Sequence, residues 1–574
     1  MPAVVYSSFA GGMDAASENH RLMAQDCCSL IVNGTVRGGF IEPRPSFSRV
    51  PISWMDNRAQ HVFERGIYQG SAFYSSERGA AMLYAFDGHV LAFDVASGEM
   101  RCLTKDKQAF SKHSDFVWFA QRGPYAIAQD GVSPPLIIRG LQVTYGTSST
   151  GVPCGTMMID GWGRLAVVSP DRTRIYFSNH EADPTSASIL SFTEGTAYFK
   201  NARYFQIPGA LGKVMGIEFA PSFYGKADLG PLVVFCENGT RAFDVSVPRS
   251  AWTTQDISTT PLPSFGSCAH GSIVRRGNDL VFSDQFGHIQ TMKAAMRRDE
   301  DARVNAIDRP VYPWFAAELG ELRRWRQSVK FDDRILTTVN PYHDRRDDGR
   351  WQVAHRQLAV LNELHAPTNQ ENVWDGLWCG LGFVSLDAST MNGAQRCFSV
   401  ATSNGVNQLF ELTRSTSGID SGSSASRIRT VAAMKPVDFD DTFRVKGYEG
   451  GAVKIGMARG DISVSGWWSS DRGPVASWFS DNKMIRQSDC SSAANPHSFA
   501  RINTPAPPKG KDRFYECQPW VIVEGCARLE GLAIEVGDPS PAPNRLNTRG
   551  KCKPETVEPN TVCQPNPFEY AIPI

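Results

Sequence analysis

The sequence has no excess of either charge. It contains 59 Lys plus Arg and 59 Asp plus Glu, which gives a formal net charge of zero at pH 7. A protein dedicated to nucleic-acid binding usually carries a basic excess, so the balance argues against that class. A neutral surface along which nucleic acid passes without adhering stays compatible with it.

Long apolar runs are also missing. No run approaches the ~20 residues that a membrane-spanning helix needs. The N-terminus has no basic segment followed by an apolar one, which is the pattern of a secretion signal. The sequence therefore predicts neither a membrane span nor a secretion signal.

Spacings that carry chemistry are missing as well. The 11 histidines include no His-x-x-x-His or His-Glu-x-x-His arrangement, and the 13 cysteines include no Cys-x-x-Cys. No Gly-x-Ser-x-Gly elbow and no phosphate-binding loop occur. Because zinc sites and the common hydrolases use these spacings, the sequence predicts no catalytic, cofactor-binding or metal-binding residues and no cofactor.

Isolated candidates for chemistry remain. A glycosidase uses two carboxylates, often near aromatic rings, but no spacing singles out a pair here. The cysteines are eight scattered ones before residue 400, expected to be small buried side chains, and five denser ones after it, for which disulfides stay an open alternative. The candidates considered are the carboxylates Asp160, Glu194 and Asp375, the rings of Trp374, Trp378, Trp467, Trp468 and Trp478, the histidines His20, His89, His180, His270, His288 and His343, and the late cysteines Cys490, Cys517, Cys526, Cys552 and Cys563.

Turn formers and aromatic residues are plentiful: 50 Gly, 35 Pro, 32 Phe, 15 Tyr and 13 Trp. Short strands joined by polar turns recur through Gly151–Trp252, and Asp87-Gly88 between two apolar runs is the strongest hairpin signal. Hairpins repeated over more than 200 residues need partners for their edges. The sequence therefore predicts an all-β fold whose main part is a β-propeller with divergent blades.

The predicted organisation follows from changes in composition. A smaller sandwich-like β domain is expected after the propeller, with extended arms at both ends of the chain. Within these segments, short helices are expected over Ser17–Leu30 and, with Phe315, Leu319 and Leu322 on one face, over Trp314–Trp325. The predicted segments are an extended arm at 1–50, the propeller at 51–414, a Ser/Gly-rich linker or loop at 415–427, the β domain at 428–540 and a Pro- and Cys-containing tail at 541–574.

Two further segments are similar to known functional or structural motifs. Ser169-Pro-Asp-Arg-Thr-Arg-Ile-Tyr176 is similar to the Asp-box turn of sialidase-like propellers, but it lacks the glycine and occurs once. We interpret it as a hairpin turn. Arg323-Arg-Trp-Arg326 mixes cations with an aromatic ring as single-strand binders do, yet it lies beside Glu318 and Glu321. We interpret it as a solvated helix face.

Several segments, taken in order, resemble the tail nozzle (tail tubular B-like) proteins of short-tailed bacteriophages. The resemblance covers roughly residues 5 to 480 and leaves the last 95 or so unmatched. The segments that carry it are Phe9-Ala-Gly-Gly-Met-Asp, Arg37-Gly-Gly-Phe with Arg44-Pro-Ser-Phe, Gly123-Pro-Tyr-Ala-Ile-Ala, Gly161-Trp-Gly-Arg-Leu-Ala, Phe192-Thr-Glu-Gly, Leu229-Gly-Pro-Leu to Trp252, Asn278-Asp-Leu-Val-Phe, Trp374-Asp-Gly-Leu-Trp and Phe443-Arg-Val-Lys-Gly-Tyr.

The resemblance implies a non-enzymatic virion protein in the phage tail, assembled in the host cytoplasm. It implies a ring, usually a homohexamer, below the portal and adaptor (head-tail connector) proteins. Such a ring conducts the double-stranded genome during ejection without binding it specifically, and it contacts tail fibres. The extended chain ends suit clamping between subunits, because strand addition gives affinity without a pocket.

The alternative hypothesis is a β-propeller that binds or hydrolyses glycans at a host surface. A carboxylate pair beside an exposed tryptophan on one propeller face would favour it, with Asp160 and Glu194 as the residues to test.

Overall fold

The computed structural model divides the chain into two compact units. The first contains Met1–Phe47, Ala359–Gly380 and Arg414–Ile574, and the second contains Ser48–Leu358 and Leu381–Thr413. The structure describes residues 3–16, 23–76, 79–146, 151–181, 183, 186, 188–193, 204–221, 229–246, 252, 257–262, 264–300, 306–363, 372–391, 393–414, 417–421, 425–439, 445–470, 473–477, 484–485, 499–504 and 513–537.

Most of the described residues lie in strands, and no helix among them is long and apolar enough to cross a membrane. The helices are α1 Asn57–Arg65, α2 Met292–Glu300 and α3 Tyr312–Ala316, with 3-10 turns at Gly209–Leu211, His270–Ser272, Arg309–Val311 and Gly320–Trp325. The strands up to residue 300 are β1 Ala3–Tyr6, β2 Gly12–Met13, β3 Cys27–Val32, β4 Gly34–Arg37, β5 Phe40–Pro43, β6 Phe47–Arg49, β7 Ser53–Trp54, β8 Tyr68–Ser76, β9 Gly79–Phe86, β10 His89–Asp94, β11 Glu99–Cys102, β12 Trp118–Arg122, β13 Tyr125–Gln129, β14 Leu136–Arg139, β15 Gln142–Tyr145, β16 Met158–Gly161, β17 Arg164–Val168, β18 Arg174–Phe177, β19 Tyr204–Gln206, β20 Val214–Pro221, β21 Leu229–Cys236, β22 Thr240–Phe243, β23 Ser258–Leu262, β24 Val274–Arg276, β25 Asp279–Ser283 and β26 Ile289–Thr291. The later strands are β27 Ser328–Phe331, β28 Arg334–Arg345, β29 Trp351–Asn362, β30 Val373–Phe383, β31 Asp387–Met391, β32 Ala394–Ser403, β33 Val406–Leu412, β34 Ile419–Ser421, β35 Ala425–Arg427, β36 Arg429–Met434, β37 Lys446–Ser470, β38 Gly473–Ser477, β39 Met484–Ile485, β40 Phe499–Thr504, β41 Arg513–Phe514 and β42 Cys517–Gly537.

The second unit is a closed circuit of small antiparallel sheets. Four of them are four-strand meanders, β8–β11, β12–β15, β16–β19 and β20–β23, and β7 adds to the first in parallel. They are followed by β24–β26, the hairpin β27–β28 and β31–β33. The inner strands touch in order, β8 to β12, β16, β20, the β24–β26 sheet, β27 and β31, and β31 touches β8 again. Among the described residues, seven sheets thus complete a β-propeller, and the predicted fold class is confirmed.

The turn between β9 and β10 shows why the sequence folds into these meanders. Asp87 and Gly88 have φ of 46° and 75°, which is the two-residue hairpin turn that the sequence predicts. Strands β9 and β10 are buried on both faces except near their outer ends, because neighbouring sheets cover both sides. This explains why the blades show continuous apolar runs such as Leu165–Val168 rather than strict alternation.

The first unit gathers three distant segments of the chain, which corrects the predicted boundaries. The N-terminal residues do not form an extended arm: β1 pairs with β42, and β3 pairs with β36. Residues 359–380, predicted as propeller, belong to this unit, and so does the C-terminal β domain. The predicted helix over Ser17–Leu30 is wrong for its described end, because Cys27–Val32 is a strand whose buried side chains pack into the sheet. The predicted tail at 541–574 lies outside the described residues.

Two strands dominate the C-terminal part of this unit. The sequence suggests short strands separated by glycine turns, but Lys446–Ser470 is a single strand of 25 residues that pairs along much of its length with the 21-residue β42. Its glycines coincide with shifts of register rather than with turns, as at Tyr448/Gly450. The predicted linker at 415–427 contributes the paired strands β34 and β35.

The amphipathic helix predicted over Trp314–Trp325 is also wrong as a continuous element. Helix α3 ends at Ala316, and Leu319 has extended backbone angles before the 3-10 turn Gly320–Trp325. Phe315 and Leu322 are buried as predicted, but the Leu319 side chain is 62% exposed. The apolar spacing therefore reflects two separate anchors to the core rather than one helical face.

Candidate functional site in the axial cavity of the propeller

A cavity of about 270 Å³ lies where the inner strands of the propeller begin. Successive inner strands run in the same sense around the circuit, so their first residues converge at one end. Each contributes a side chain or backbone group to the wall. The inner strands contribute Tyr68 and Ser71 of β8, Trp118 of β12 and Asp387 of β31 to the wall. The remaining sheets and the residues just before them contribute Met157, Met215, His270 and Gln327.

One wall of the cavity is aromatic. Phe116 lies 4.2 Å from Trp325 and 5.7 Å from Trp118, measured between ring centroids. Trp325 comes from the 3-10 turn Gly320–Trp325, and Trp118 begins β12. The wall thus joins the fifth and sixth sheets to the second, and it offers flat apolar surface to a ligand.

Two arginines stand over this wall. The Arg172 guanidinium lies 5.9 Å from the Trp118 ring centroid, and that of Arg324 lies 5.4 Å from the Trp325 centroid. Arg324 forms an exposed ion pair with Asp115 at 3.0 Å, whereas Arg172 has no ion pair and no side-chain hydrogen bond among the described residues. Burial and the positive charge of Arg324 lower the pKa of Arg172, so the two cations repel one another.

Arg172 reaches the cavity because of an unusual turn. It occupies the left-handed region with φ of 59°, within the loop Ser169–Thr173 between β17 and β18. Ser169 Oγ and the Asp171 carboxylate hydrogen-bond to one another, and both accept from the Thr173 amide, at 3.3 Å and 3.2 Å. The segment is therefore a hairpin turn, as its sequence predicts, and that turn presents a cation to the cavity.

A half-buried carboxyl group also lines the cavity. The Tyr68 hydroxyl lies 2.6 Å from Ser71 Oγ, and the Ser71 hydroxyl lies 2.7 Å from each carboxyl oxygen of Asp387. Ser385 Oγ adds a contact at 3.2 Å. Burial raises the pKa of Asp387 to about 6, against the hydrogen bonds from the two serines. The carboxyl group is thus partly protonated in mildly acidic solution.

Two other polar side chains complete the cavity. His270 is half-buried, its solvent-shielded Nδ1 has no hydrogen-bond partner among the described residues, and desolvation lowers its pKa to about 4, so it is neutral at pH 7. Arg326 is 1% exposed and pairs with Glu318, which is also buried. The solvated-face interpretation of Arg323–Arg326 is therefore wrong at Arg326, which holds the wall in place.

Replacing Asp387 with asparagine is expected to stabilise the protein at pH 7.5 by up to about 3 kcal/mol, and by little at pH 4. The pKa of this carboxyl is about 6 in the folded protein and 3.8 as an ordinary aspartate. Between these values the unfolded chain loses its proton first, so the free energy of unfolding falls as pH rises. Urea denaturation of both proteins at the two pH values measures the difference; equal differences at pH 4 and 7.5 would contradict a buried acid.

The structure does not bring the predicted carboxylate candidates together. Asp160 lies in the second unit, where it pairs with Arg122 at 2.5 Å; Asp375 is buried in the first unit, as are Trp374 and Trp378. Glu194 lies outside the described residues. A pair acting across a sugar ring is therefore not seen in the part of the chain that is described.

The other candidates are structural where they are described. Trp468 is buried, while Trp467 stacks on Trp520 with centroids 5.0 Å apart. His20, Trp478, Cys490, Cys552 and Cys563 lie outside the described residues. The other described histidine candidates lie beside protein groups. His89 contacts Thr104, and His288 contacts Asp308. His180 lines a pocket with Arg122 and Asp160, and the His343 ring contacts the Trp351 ring.

Cysteines and metal ligands give no further site in the described part of the chain. The ten described cysteines, Cys517 and Cys526 among them, form no disulfide with one another. Burial raises the pKa of most of these thiols, for example of Cys268 to about 11, so they are poor nucleophiles. No group of three His, Cys, Asp or Glu side chains within the described residues has the arrangement of a metal site.

Comparisons with known proteins bear on the fold alone. No protein-family model matches the chain, and no curated protein matches it. Solved structures that are similar include the β-propeller domain of Cps50 (Swd1) from Myceliophteria thermophila, with 10% identity, a TM-score of 0.34, and 61% of this chain and 97% of that chain covered. A chain of the Mitotic Checkpoint Complex has 12% identity and a TM-score of 0.34, with 64% of this chain and 94% of that chain covered. YCF48 bound to D1 peptide has 11% identity and a TM-score of 0.32, with 61% of this chain and 93% of that chain covered.

Sequence reasoning missed the axial cavity as a site. It singled out Ser169–Tyr176 and Arg323–Arg326 separately, and their side chains Arg172 and Trp325, 153 positions apart in sequence, line the same cavity. The signal that was available is the pairing of cations with aromatic residues in both segments. What was missing is the circular order of the sheets, which brings the two segments together.

Proposed function

We propose that this chain is a structural subunit of the nozzle ring of a short bacteriophage tail. In this proposal it is a virion protein and not an enzyme, assembled in the host cytoplasm into a homohexamer. The ring lies below the portal and adaptor, contacts tail fibres, and conducts double-stranded DNA during genome ejection. The balanced charge of the chain suits a channel through which DNA passes without adhering, because the affinity of a protein for DNA rises with the number of phosphates that its cations neutralise.

The observation that carries the proposal concerns the segments that resemble the nozzle family. Three of them, far apart in sequence, are buried against one another in the first unit. The carboxylate of Asp375, from Trp374-Asp-Gly-Leu-Trp, accepts hydrogen bonds from Thr35 Oγ1 at 2.5 Å, the Val36 amide at 3.2 Å and Asn362 Nδ2 at 2.8 Å. The Trp378 indole donates to the Gly34 carbonyl at 2.9 Å. We call this cluster the Asp375 hub.

The other two segments complete the hub. Arg44, from Arg44-Pro-Ser-Phe, donates to Asn33 Oδ1 at 2.9 Å and to the Cys379 carbonyl at 3.0 Å, and it pairs with Asp420. Gly12, from Phe9-Ala-Gly-Gly-Met-Asp, has φ of 69°, and a Cβ there would lie 2.4 Å from the Trp374 carbonyl oxygen. The three segments thus meet at neighbouring positions of one unit.

Such an arrangement suits a subunit that bears mechanical load. One compact unit contains the N-terminal strands, residues 359–380 and the C-terminal strands. Strand β1 and strand β42 are both paired, with each other. Strand β37, at about 3.3 Å per residue, extends on the order of 80 Å and offers a long surface for neighbouring copies. Strand addition at β1 is a second route to association.

The proposal predicts an oligomer with the mass of six 63.1-kDa chains, dissociated by Val5→Lys. Val5 lies on β1 and is 57% exposed, so a lysine there disturbs subunit contacts through charge while leaving the folded subunit intact. Analytical ultracentrifugation at low and high salt measures the mass. The matched control is Val132→Lys in the propeller unit, where the side chain is 78% exposed; it is expected to leave the hexamer unchanged.

A protein that sediments as a monomer over the accessible concentration range would argue against the ring. A hexamer that survives Val5→Lys would keep the ring and remove β1 from its interface. Circular dichroism spectra of the three proteins are expected to coincide, since both substitutions are at exposed positions.

A further inference from the structure

The axial cavity holds a cation, Arg172, whose guanidinium lies over the Trp118 ring and forms no ion pair within the described residues. Arg172 is half-buried, carries no ion pair or side-chain hydrogen bond among the described residues, and has its pKa lowered by burial and by Arg324. Glu237 and Asp115 offset that repulsion only from a distance. Two cations that repel one another at the wall of a cavity are stabilised when an anion binds between them.

The surroundings restrict which anion fits. Flat apolar surface from Trp118, Phe116 and Trp325 lies beside the arginines, so the ligand has an apolar face as well as a charge. Sugar rings present such faces through their C–H groups, and they stack on aromatic side chains. Inorganic anions lack a face of this kind.

The cavity also offers hydrogen bonds to hydroxyl groups. Ser71, Asp387 and the unpartnered Nδ1 of His270 all line it. A protonated or ionised Asp387 accepts from a sugar hydroxyl, and neutral His270 either accepts or donates according to its tautomer. Sites that hydrogen-bond a substrate hydroxyl discriminate strongly against ligands that lack one.

The size of the cavity sets the length of the bound segment. Its 270 Å³ is at the lower end of the ~300–1,000 Å³ of pockets that enclose drug-sized ligands. One sugar ring with its carboxylate fits this volume, and a neighbouring cavity shares Tyr68 and Trp325 with it. A single-stranded nucleic acid is the competing ligand, and the absence of a basic excess in the sequence argues against it.

We propose that the axial cavity binds one carboxylate-bearing sugar residue of an acidic polysaccharide, with the carboxylate between Arg172 and Arg324. The sugar ring stacks on the aromatic wall, and its hydroxyls meet Ser71, Asp387 and His270. The inference concerns binding alone, without bond cleavage. It does not rest on the proposed ring, and a monomeric protein would bind in the same way.

Isothermal titration calorimetry of the full chain with acidic trisaccharides tests the inference. The probes are trigalacturonate, a glucuronate-containing trisaccharide and trimeric sialic acid, with maltotriose as the neutral comparison and a (dT)6 oligonucleotide as the nucleic-acid comparison. The structure predicts saturable 1:1 binding of at least one acidic trisaccharide and none of maltotriose. Arg172→Gln is expected to weaken that binding at least tenfold.

The matched control is Arg174→Gln, two residues along the same turn. Arg174 faces Tyr204 and Gln206 outside the cavity, so its loss is expected to leave binding unchanged. Three results would overturn the proposal: no binding of any acidic trisaccharide, equal weakening by both substitutions, or preferential binding of (dT)6 that Arg172→Gln removes. Unfolding midpoints of the two variants, expected to agree, separate a lost contact from a lost fold.

Discussion

Replacing Glu318 with alanine is expected to destabilise the propeller by about 3–5 kcal/mol, the range observed when one partner of a buried ion pair is removed. Glu318 and Arg326 are each 1% exposed at the side chain, so the guanidinium would be left charged and buried. Arg326 would keep its bonds to Ser283 Oγ and the Gly287 carbonyl, which are neutral acceptors. The Asn340 amide would also lose its acceptor, at 3.0 Å.

Urea denaturation followed by far-ultraviolet circular dichroism measures this loss. Glu321→Ala is the matched control, because Glu321 is exposed in the neighbouring turn and its removal is expected to change stability by less than about 0.5 kcal/mol. A double variant, Glu318→Gln with Arg326→Met, is expected to recover part of the stability, since no unpaired charge remains. A loss below 1 kcal/mol in Glu318→Ala would mean that the pair is hydrated rather than buried.

Replacing Asp375 with alanine is expected to cost the first unit about 3–5 kcal/mol, because buried donors without acceptors cost ~1–3 kcal/mol each. Three donors lose the carboxylate as an acceptor: Thr35 Oγ1, the Val36 amide and Asn362 Nδ2, of which Asn362 Nδ2 keeps its bond to the Val36 carbonyl. Asp375 is fully buried, so water does not replace the carboxylate without rearrangement of the hub. The contacts between β4 and β30 would then weaken.

Hydrogen exchange measured peptide by peptide shows where the loss occurs. Protection is expected to fall in peptides from residues 30–44 and 372–380 and to persist in peptides from the propeller strands β9 and β13. Glu449→Ala, at an exposed position of β37, is the control and is expected to change neither set. Equal loss of protection throughout the chain would show that the two units unfold as one.

The propeller was accessible to sequence reasoning because its signals are local. Asp87-Gly88 specifies its own turn, and each meander is completed by neighbouring strands, so repetition of hairpins is enough to predict the class. The number of sheets was not accessible, since β31–β33 follow the excursion of residues 359–380 into the other unit. Nothing in the composition of that excursion distinguishes it from a blade.

The first unit was misjudged for the opposite reason. The contacts that tie its N-terminal strands to the rest of the unit are between residues more than 300 positions apart, as Thr35 with Asp375 and Tyr6 with Lys435. No local pattern encodes such pairings, so the N-terminal strands looked like an arm. Arg172 was equally inaccessible to sequence reasoning as a cavity residue. Its turn could be identified from the sequence, but the position of its side chain in the cavity depends on how the seven sheets are arranged around the propeller.

Electron microscopy of the purified full-length protein tests the central proposal most directly. The proposal predicts two-dimensional class averages of closed rings with six equivalent lobes around an open channel. Particles that remain single subunits, or that form open filaments and irregular clusters, would contradict a nozzle ring.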